Sequence, residues 1–374
     1  MHRTYFANLD ALRTVACMAV IFQHGLEYII PDIAKISPLA ARVLRVMCMG
    51  DLGVTFFFTL SGFLITYLMV KERNDTSHFS IPKFYMRRVL RIWPVYFLTI
   101  ILGIALQNNF WQDLKLPEHH AENYAYYFAF IANWDSYALY SEGLSKLVNL
   151  CLAVTWSVSI EEQFYLLWPL IFFFSRKYFT WVVVLIFALC GVLKAVNAHD
   201  HYYLLKTPSG FFFLSFGSLL GYAAYNFHDK LKSYFRIAGS IGVYGLLFSV
   251  LLFRTEISNT TGTSFICDFI YTICFGYILL EQTIGARRLL SFSRIPLFTF
   301  IGKYTYGMYL YHPIIIALFA IMLGRSQQHL YEPFLRCAGI ALGTFIMAYI
   351  SYELMEKRFL KLKEKFSNIL SKSA

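Results

Sequence analysis

Residues 51–70 read DLGVTFFFTLSGFLITYLMV: twenty positions with one charge, and that at the first. A helix rises about 1.5 Å per residue, so twenty residues cover the ~30 Å of a bilayer's hydrocarbon core. The run shows no alternation of polar and apolar positions, which a barrel strand would require, so it reads as a membrane helix. Nine further runs of this kind follow or precede it, giving approximate spans at 7–30, 51–70, 90–108, 161–175, 180–197, 209–227, 237–253, 264–284, 302–323 and 334–356. The composition agrees. Of 374 residues, 58% are hydrophobic, 19% aromatic and only 15% charged. A soluble domain carries about 25% charged residues, so this chain lacks the polar surface to cover itself in water, and disorder is excluded by the same apolar excess. The expected fold is all-α, a polytopic bundle of about ten transmembrane helices. The first run is too long for a signal-peptide core and has no small-residue cleavage site, so it is expected to be retained.

Ten spans place both termini on one side, and basic residues choose it. With a cytoplasmic N-terminus, the inner segments carry 22 Lys and Arg and the longer outer segments 8. Both ends are therefore expected inside. The same asymmetry accounts for the net charge of +11 as topology signalling and attraction to the lipid bilayer, so no nucleic-acid partner is expected. The chain reads as a single membrane domain over 1–374, with an outer-side cap over about 109–158 and a short basic tail at 357–374. Within the cap, 124–134 (YAYYFAFIANW) is too short to span and reads as re-entrant or interfacial. The seven cysteines show no paired spacing and lie mostly in apolar runs, as buried small hydrophobes do.

Ionisable side chains inside spans are expensive in lipid, so each is a candidate for function, with pairing or snorkelling as the competing account. Asp10 and Arg13 are three apart and can pair on one helix face. Arg13 and His24 are eleven apart, three turns plus roughly 20°, and so share a face about 16 Å apart along the axis. His24 is either a proton-transfer group or a hydrogen-bonded packing histidine. Arg87, Arg88 and Arg91 crowd the start of the third span, where guanidinium forks suit phosphate oxygens. Their density exceeds what a positive-inside anchor requires. Ser159 followed by Glu162 reads as a capping box, with Glu161 in the first helical turn. Two carboxylates at an outer mouth also suit proton acceptance or holding an imidazole in one tautomer. Tyr309 and His312 are three apart with Pro313 next, so a bend and an inward-pointing polar pair are expected there. His119, His120, His199 and His201 form no convincing ligand set, and no metal is assigned. Asn259, Thr260 and Thr261 match a glycosylation sequon too common to decide a source.

Five stretches taken in order resemble the acyltransferase 3 family of integral membrane acyltransferases: NLDALRTVACMAVIFQH at 8–24, GVTFFFTLSGFLI at 53–65, FYMRRVLRIWPVY at 84–96, WSVSIEEQFYLLWP at 156–169 and GKYTYGMYLYHP at 302–313. Ala11 and Thr14 stand where family members commonly have glycine. The resemblance implies transfer of an acyl group, most often acetyl, from cytoplasmic acyl-CoA to a hydroxyl of a carbohydrate acceptor such as an envelope polysaccharide or lipopolysaccharide. No bound cofactor is implied; acetyl-CoA is the expected donor substrate. By position, His24, Arg13 and Glu162 would be catalytic, Arg13 as the partner of His24 and Glu162 with Gln163 matching an outer acidic motif, while Arg88 and Arg91 would serve the donor with Arg87 beside them. Asp10, Glu161, Tyr309 and His312 would support the site. Some relatives carry an extracytoplasmic esterase-like domain; this chain is expected to be the form without one, acting alone or with a separate extracytoplasmic partner. The competing class is a secondary transporter with a proton or anion path, against which stands the lack of an internal repeat.

Overall fold

The computed structural model describes residues 6–26, 33–35, 37–110, 124–143, 151–253, 263–323 and 332–367. Every regular element among them is helical. In chain order these are α1 (Ala7–Leu26), α2 (Pro38–Met47), α3 (Gly50–Thr76), α4 (Ile81–Phe110), α5 (Tyr124–Phe128), α6 (Ala132–Ser141), α7 (Thr155–Ser175) and α8 (Phe179–Val196). They continue with α9 (Thr207–Asn226), α10 (His228–Lys232), α11 (Ile237–Leu252), α12 (Thr263–Ile284), α13 (Pro296–Gly302), α14 (Thr305–Leu323), α15 (Glu332–Ser351) and, after a π-helical turn at Tyr352–Glu356, α16 (Lys357–Glu364). Each apolar run of the sequence falls on one of these helices. Six helical segments are long and apolar enough to cross a membrane: Pro38–Thr76, Ile81–Asn109, Thr155–Val196, Phe265–Ile284, Thr305–Leu323 and Glu332–Glu364. The protein is therefore a multi-pass membrane protein. One of the six, Thr155–Val196, holds two of the expected spans, which part at Arg176, whose φ of 43° breaks the helical path. The outward face of α8 explains where lipid lies, for Trp181, Leu185, Leu189, Val192 and Val196 are all exposed. In water such a stripe would be an aggregation surface; in hydrocarbon it is the solvated one.

Helices in lipid gain little from burying more apolar surface and associate by close packing instead. The most extensive contact, between α3 and α9, is built that way. A Cβ placed on Gly217 would lie 1.9 Å from the Thr59 carbonyl oxygen, and one on Gly62 1.9 Å from that of Leu214. Only glycine permits this approach. On the other flank, α1 packs against α3, α13, α14 and α15. Its polar side chains are used as fasteners: Thr14 donates to the Phe298 carbonyl (2.6 Å), Cys17 to that of Thr305 (3.7 Å), and Gln23 accepts from the backbone of Gly50. All the cysteines are free and buried, as their sequence context suggests.

The expected capping box is overturned. The helix begins at Thr155, a turn before Ser159, so Ser159 is interior, fully buried, and returns its hydroxyl to the Thr155 carbonyl (3.1 Å). An N-cap donor site no longer exists there once the preceding turn is helical. The cap piece resolves into α5 and α6, broken at Phe130 with φ 56°. At 5 and 10 residues, neither is long enough to cross a bilayer. Gln163 of α7 ties this piece down, donating to the Phe130 carbonyl and Asn133 (both 2.9 Å) while accepting from Thr207 of α9 (2.7 Å). His119, His120, the sequon at 259–261 and much of the cap lie outside the described residues.

Candidate active site

Between α1, α3, α4, α7 and α14 lies a cavity of about 160 Å³. Its polar lining comes from Arg13, Ser61, Arg88, Arg91, Ser157, Glu161, Tyr165, Tyr306 and Tyr309, and the remainder is chiefly aliphatic and aromatic. Arg88 and Arg91 lie three apart on α4, as the spacing predicts, and both point into this space. Among the described residues neither makes an ion pair or hydrogen bond. The Arg88 Nε is buried without an acceptor, its guanidinium lying over the rings of Phe84 and Tyr165 at 5.6 Å. Unpaired guanidinium groups facing an enclosed space are strong anion sites, because an incoming anion replaces no existing partner.

Arg87 is different. One residue along the helix rotates it by about 100°, and it bonds Glu72 of α3 (2.7 Å) and the Phe366 carbonyl (2.9 Å). It fastens the tail to the bundle rather than facing the cavity. Lys363, on α16, was not singled out by the sequence. Its burial beside α4 puts its amine near Arg91 and Arg88, and a lysine in a basic tail gives no sign of that before the tail folds back.

Arg13 pairs with Asp10 (2.5 Å), as the i, i+3 spacing predicts, and still lines the cavity. Of the two adjacent carboxylates, Glu161 faces the cavity. Glu162 accepts from the Trp93 indole (3.0 Å), with its other oxygen buried and unpartnered. Gln163 is engaged in the cap. Adjacent helical residues point in different directions, so three neighbours serve three different contacts. Ser61 and Tyr165, in mutual hydrogen bond, and Ser157 with the Tyr309 hydroxyl (2.7 Å) complete the polar wall.

A turn beyond Tyr309 on α14, His312 is completely buried. Its Nε2 lies 2.9 Å from Nδ1 of His24, and its Nδ1 lies 2.8 Å from the carbonyl oxygen of Tyr309. The sequence expectation of an inward polar pair is met in part: the partner of His312 within α14 is the Tyr309 backbone, while the phenol points to Ser157. His24 is exposed. Its helix carries Arg13 eleven residues earlier, so α1 runs from the cation-lined cavity to the histidine pair, about 16 Å along its axis.

These features define a multi-pass membrane protein with an arginine-lined cavity and, further along α1 and α14, a hydrogen-bonded pair of histidines. The chain belongs to the acyltransferase domain family of the acyltransferase 3 type, whose match covers residues 6–353. It is 28% identical over 385 residues to the peptidoglycan O-acetyltransferase OatA of Listeria monocytogenes, across 95% of this chain and 56% of that protein. It is 26% identical over 364 residues to the O-acetyltransferase OatA of Staphylococcus aureus, across 94% of this chain and 57% of that one. The chain thus spans about half the length of these curated relatives. No solved structure matches it.

Proposed function

We propose that this protein is a membrane O-acyltransferase that moves an acyl group, most often acetyl, from acyl-CoA to a hydroxyl of a cell-envelope glycan. The observation that carries the reading is the cavity itself: Arg88 and Arg91 face it with no ion pair or hydrogen bond among the described residues, and α1 and α14 lead from it to His24. Phosphates of the donor meet the arginines on the basic, cytoplasmic side, and the extended pantetheine arm carries its thioester toward the histidine. His24 then takes the proton of the acceptor hydroxyl as that oxygen attacks the thioester carbonyl. The new ester C–O bond forms, the C–S bond breaks, and the CoA thiolate leaves to be protonated. In the alternative order, the imidazole takes the acyl group first and the hydroxyl removes it. The names of the relatives support acetyl as the group and an envelope polymer as the acceptor.

The test is to incubate purified protein with acetyl-labelled acetyl-CoA and candidate glycans, peptidoglycan fragments among them. Free CoA and labelled ester are expected with the wild type and not with His24→Ala. No CoA release with any acceptor, together with solute uptake into vesicles, would replace the enzyme by a secondary transporter.

A further inference from the structure

Pro313 has no N–H, and in an α-helix the missing donor is the one that residue 313 would offer to the carbonyl of residue 309. The Tyr309 carbonyl is therefore left without its helical partner in a buried segment, where an unmet acceptor is costly. The structure shows what meets it: Nδ1 of His312, at 2.8 Å. A carbonyl oxygen only accepts, so Nδ1 of His312 carries a proton. The ring is wholly buried, and among the described residues no carboxylate bonds it, so it is neutral and its Nε2 is bare. That lone pair faces Nδ1 of His24 at 2.9 Å. The two ring planes differ by 9° and their centroids are 5.1 Å apart. That separation is close to the N···N distance plus one ring radius on either side, so the rings lie edge to edge in nearly one plane. An in-plane N–H and an in-plane lone pair require that arrangement; face-to-face stacking would not provide it.

We infer that His312 is a positioning residue that fixes His24 in the tautomer with its proton on Nδ1, leaving Nε2 as the free base. The chain of donors runs in one direction, from His24 Nδ1–H to His312 Nε2 and from His312 Nδ1–H to the Tyr309 carbonyl. The order Tyr309, His312, Pro313 is its whole sequence requirement within α14: the proline vacates the carbonyl, and a histidine one residue earlier is placed to bond it. Neutral His312 holds the His24 ring and sets its tautomer, the part that an acidic partner plays toward the histidine of hydrolytic triads. This inference rests on the acyltransferase reading for its consequence and on geometry alone for the tautomer, and the two are tested separately.

The tautomer is read by 15N NMR of histidine-labelled protein in detergent or nanodiscs, with the His24 signals assigned by their loss in His24→Ala. Expected are a protonated Nδ1 and a bare Nε2 on His24 in the wild type. His312→Gln keeps an amide oxygen available to accept at the Nε2 position and should preserve this pattern, whereas His312→Leu should shift His24 toward the other tautomer. In the transfer assay, His312→Leu should lower kcat by roughly 10²-fold or more with the donor KM little changed, and His312→Gln should recover much of the loss. A wild-type His24 protonated on Nε2, a His24 tautomer indifferent to His312→Leu, or equal activity losses in the leucine and glutamine variants would overturn the inference. If the protein transfers no acyl group, the NMR result still decides the tautomer, and only the proposed reaction fails.

Discussion

At the scale of single residues, the arginines of α4 separate into a fastener and two cavity cations, and the separation gives a prediction with a sign. Arg87 is paired with Glu72, so Arg87→Ala removes a charged partner from a buried carboxylate, and loss of thermal stability is expected in a detergent melting assay. Among the described residues Arg88 has no ion-pair partner to strand, and its Nε has no acceptor. Arg88→Gln is therefore expected to leave the melting temperature unchanged or raised while increasing the KM for acyl-CoA. A selective defect toward the acceptor would contradict the anion assignment. Arg88 and Arg91 could be picked out by their i, i+3 spacing, and the Asp10–Arg13 pair by the same rule. What spacing could not say is which of Glu161 and Glu162 faces the cavity, because that depends on where the helix starts and on the rotation of α7 against α3 and α4. Glu161→Gln is expected to impair transfer more than Gln163→Ala, which loosens the cap and should act mainly through stability; comparison of kcat with melting temperature for the two variants checks this.

At the scale of elements, glycine has opposite meanings in two helices of similar composition. Gly217 sits where α9 meets the backbone of α3, and an added methyl would collide with the Thr59 carbonyl. Gly217→Ala is expected to destabilise the bundle by about 1–3 kcal/mol, the usual range for overpacking, or to prevent its assembly. Gly245 in α11 has nothing among the described residues within 4 Å of where its Cβ would be. There the alanine should be neutral or stabilising by up to about 1 kcal/mol, through helix propensity alone. Unfolding of both variants in detergent distinguishes the two, and a tolerant Gly217 would show that the α3–α9 crossing is looser than its geometry. The helices themselves were legible as apolar runs. Their true starts were not: α4 extends to Ile81 and α7 to Thr155, because buried neighbours stabilise turns whose own residues are too polar or too small to announce a span.

At the scale of the whole molecule, the orientation in the membrane follows from where the cations gather, and the expected arrangement has the 228–236 segment inside and the 198–208 segment outside. Cysteine at Ser233 and at His201, both exposed, reports this directly, since the native cysteines are buried. Impermeant maleimide applied to intact cells should label position 201 and spare 233; the reverse pattern would invert the donor and acceptor sides proposed above. The sequence by itself determined that the chain lives in lipid, that its elements are helices, and which family it belongs to. All three depend on the amount and periodicity of apolar surface and on short local motifs, which survive without knowledge of any partner. The tertiary structure decided the rest: that Glu161 rather than Glu162 lines the cavity, that Lys363 folds back toward the arginines, and that the carbonyl freed by Pro313 is taken by a histidine that in turn holds His24. Each of these is a contact between residues distant in sequence or a rotation of one helix against another, and such quantities are fixed only when the helices pack.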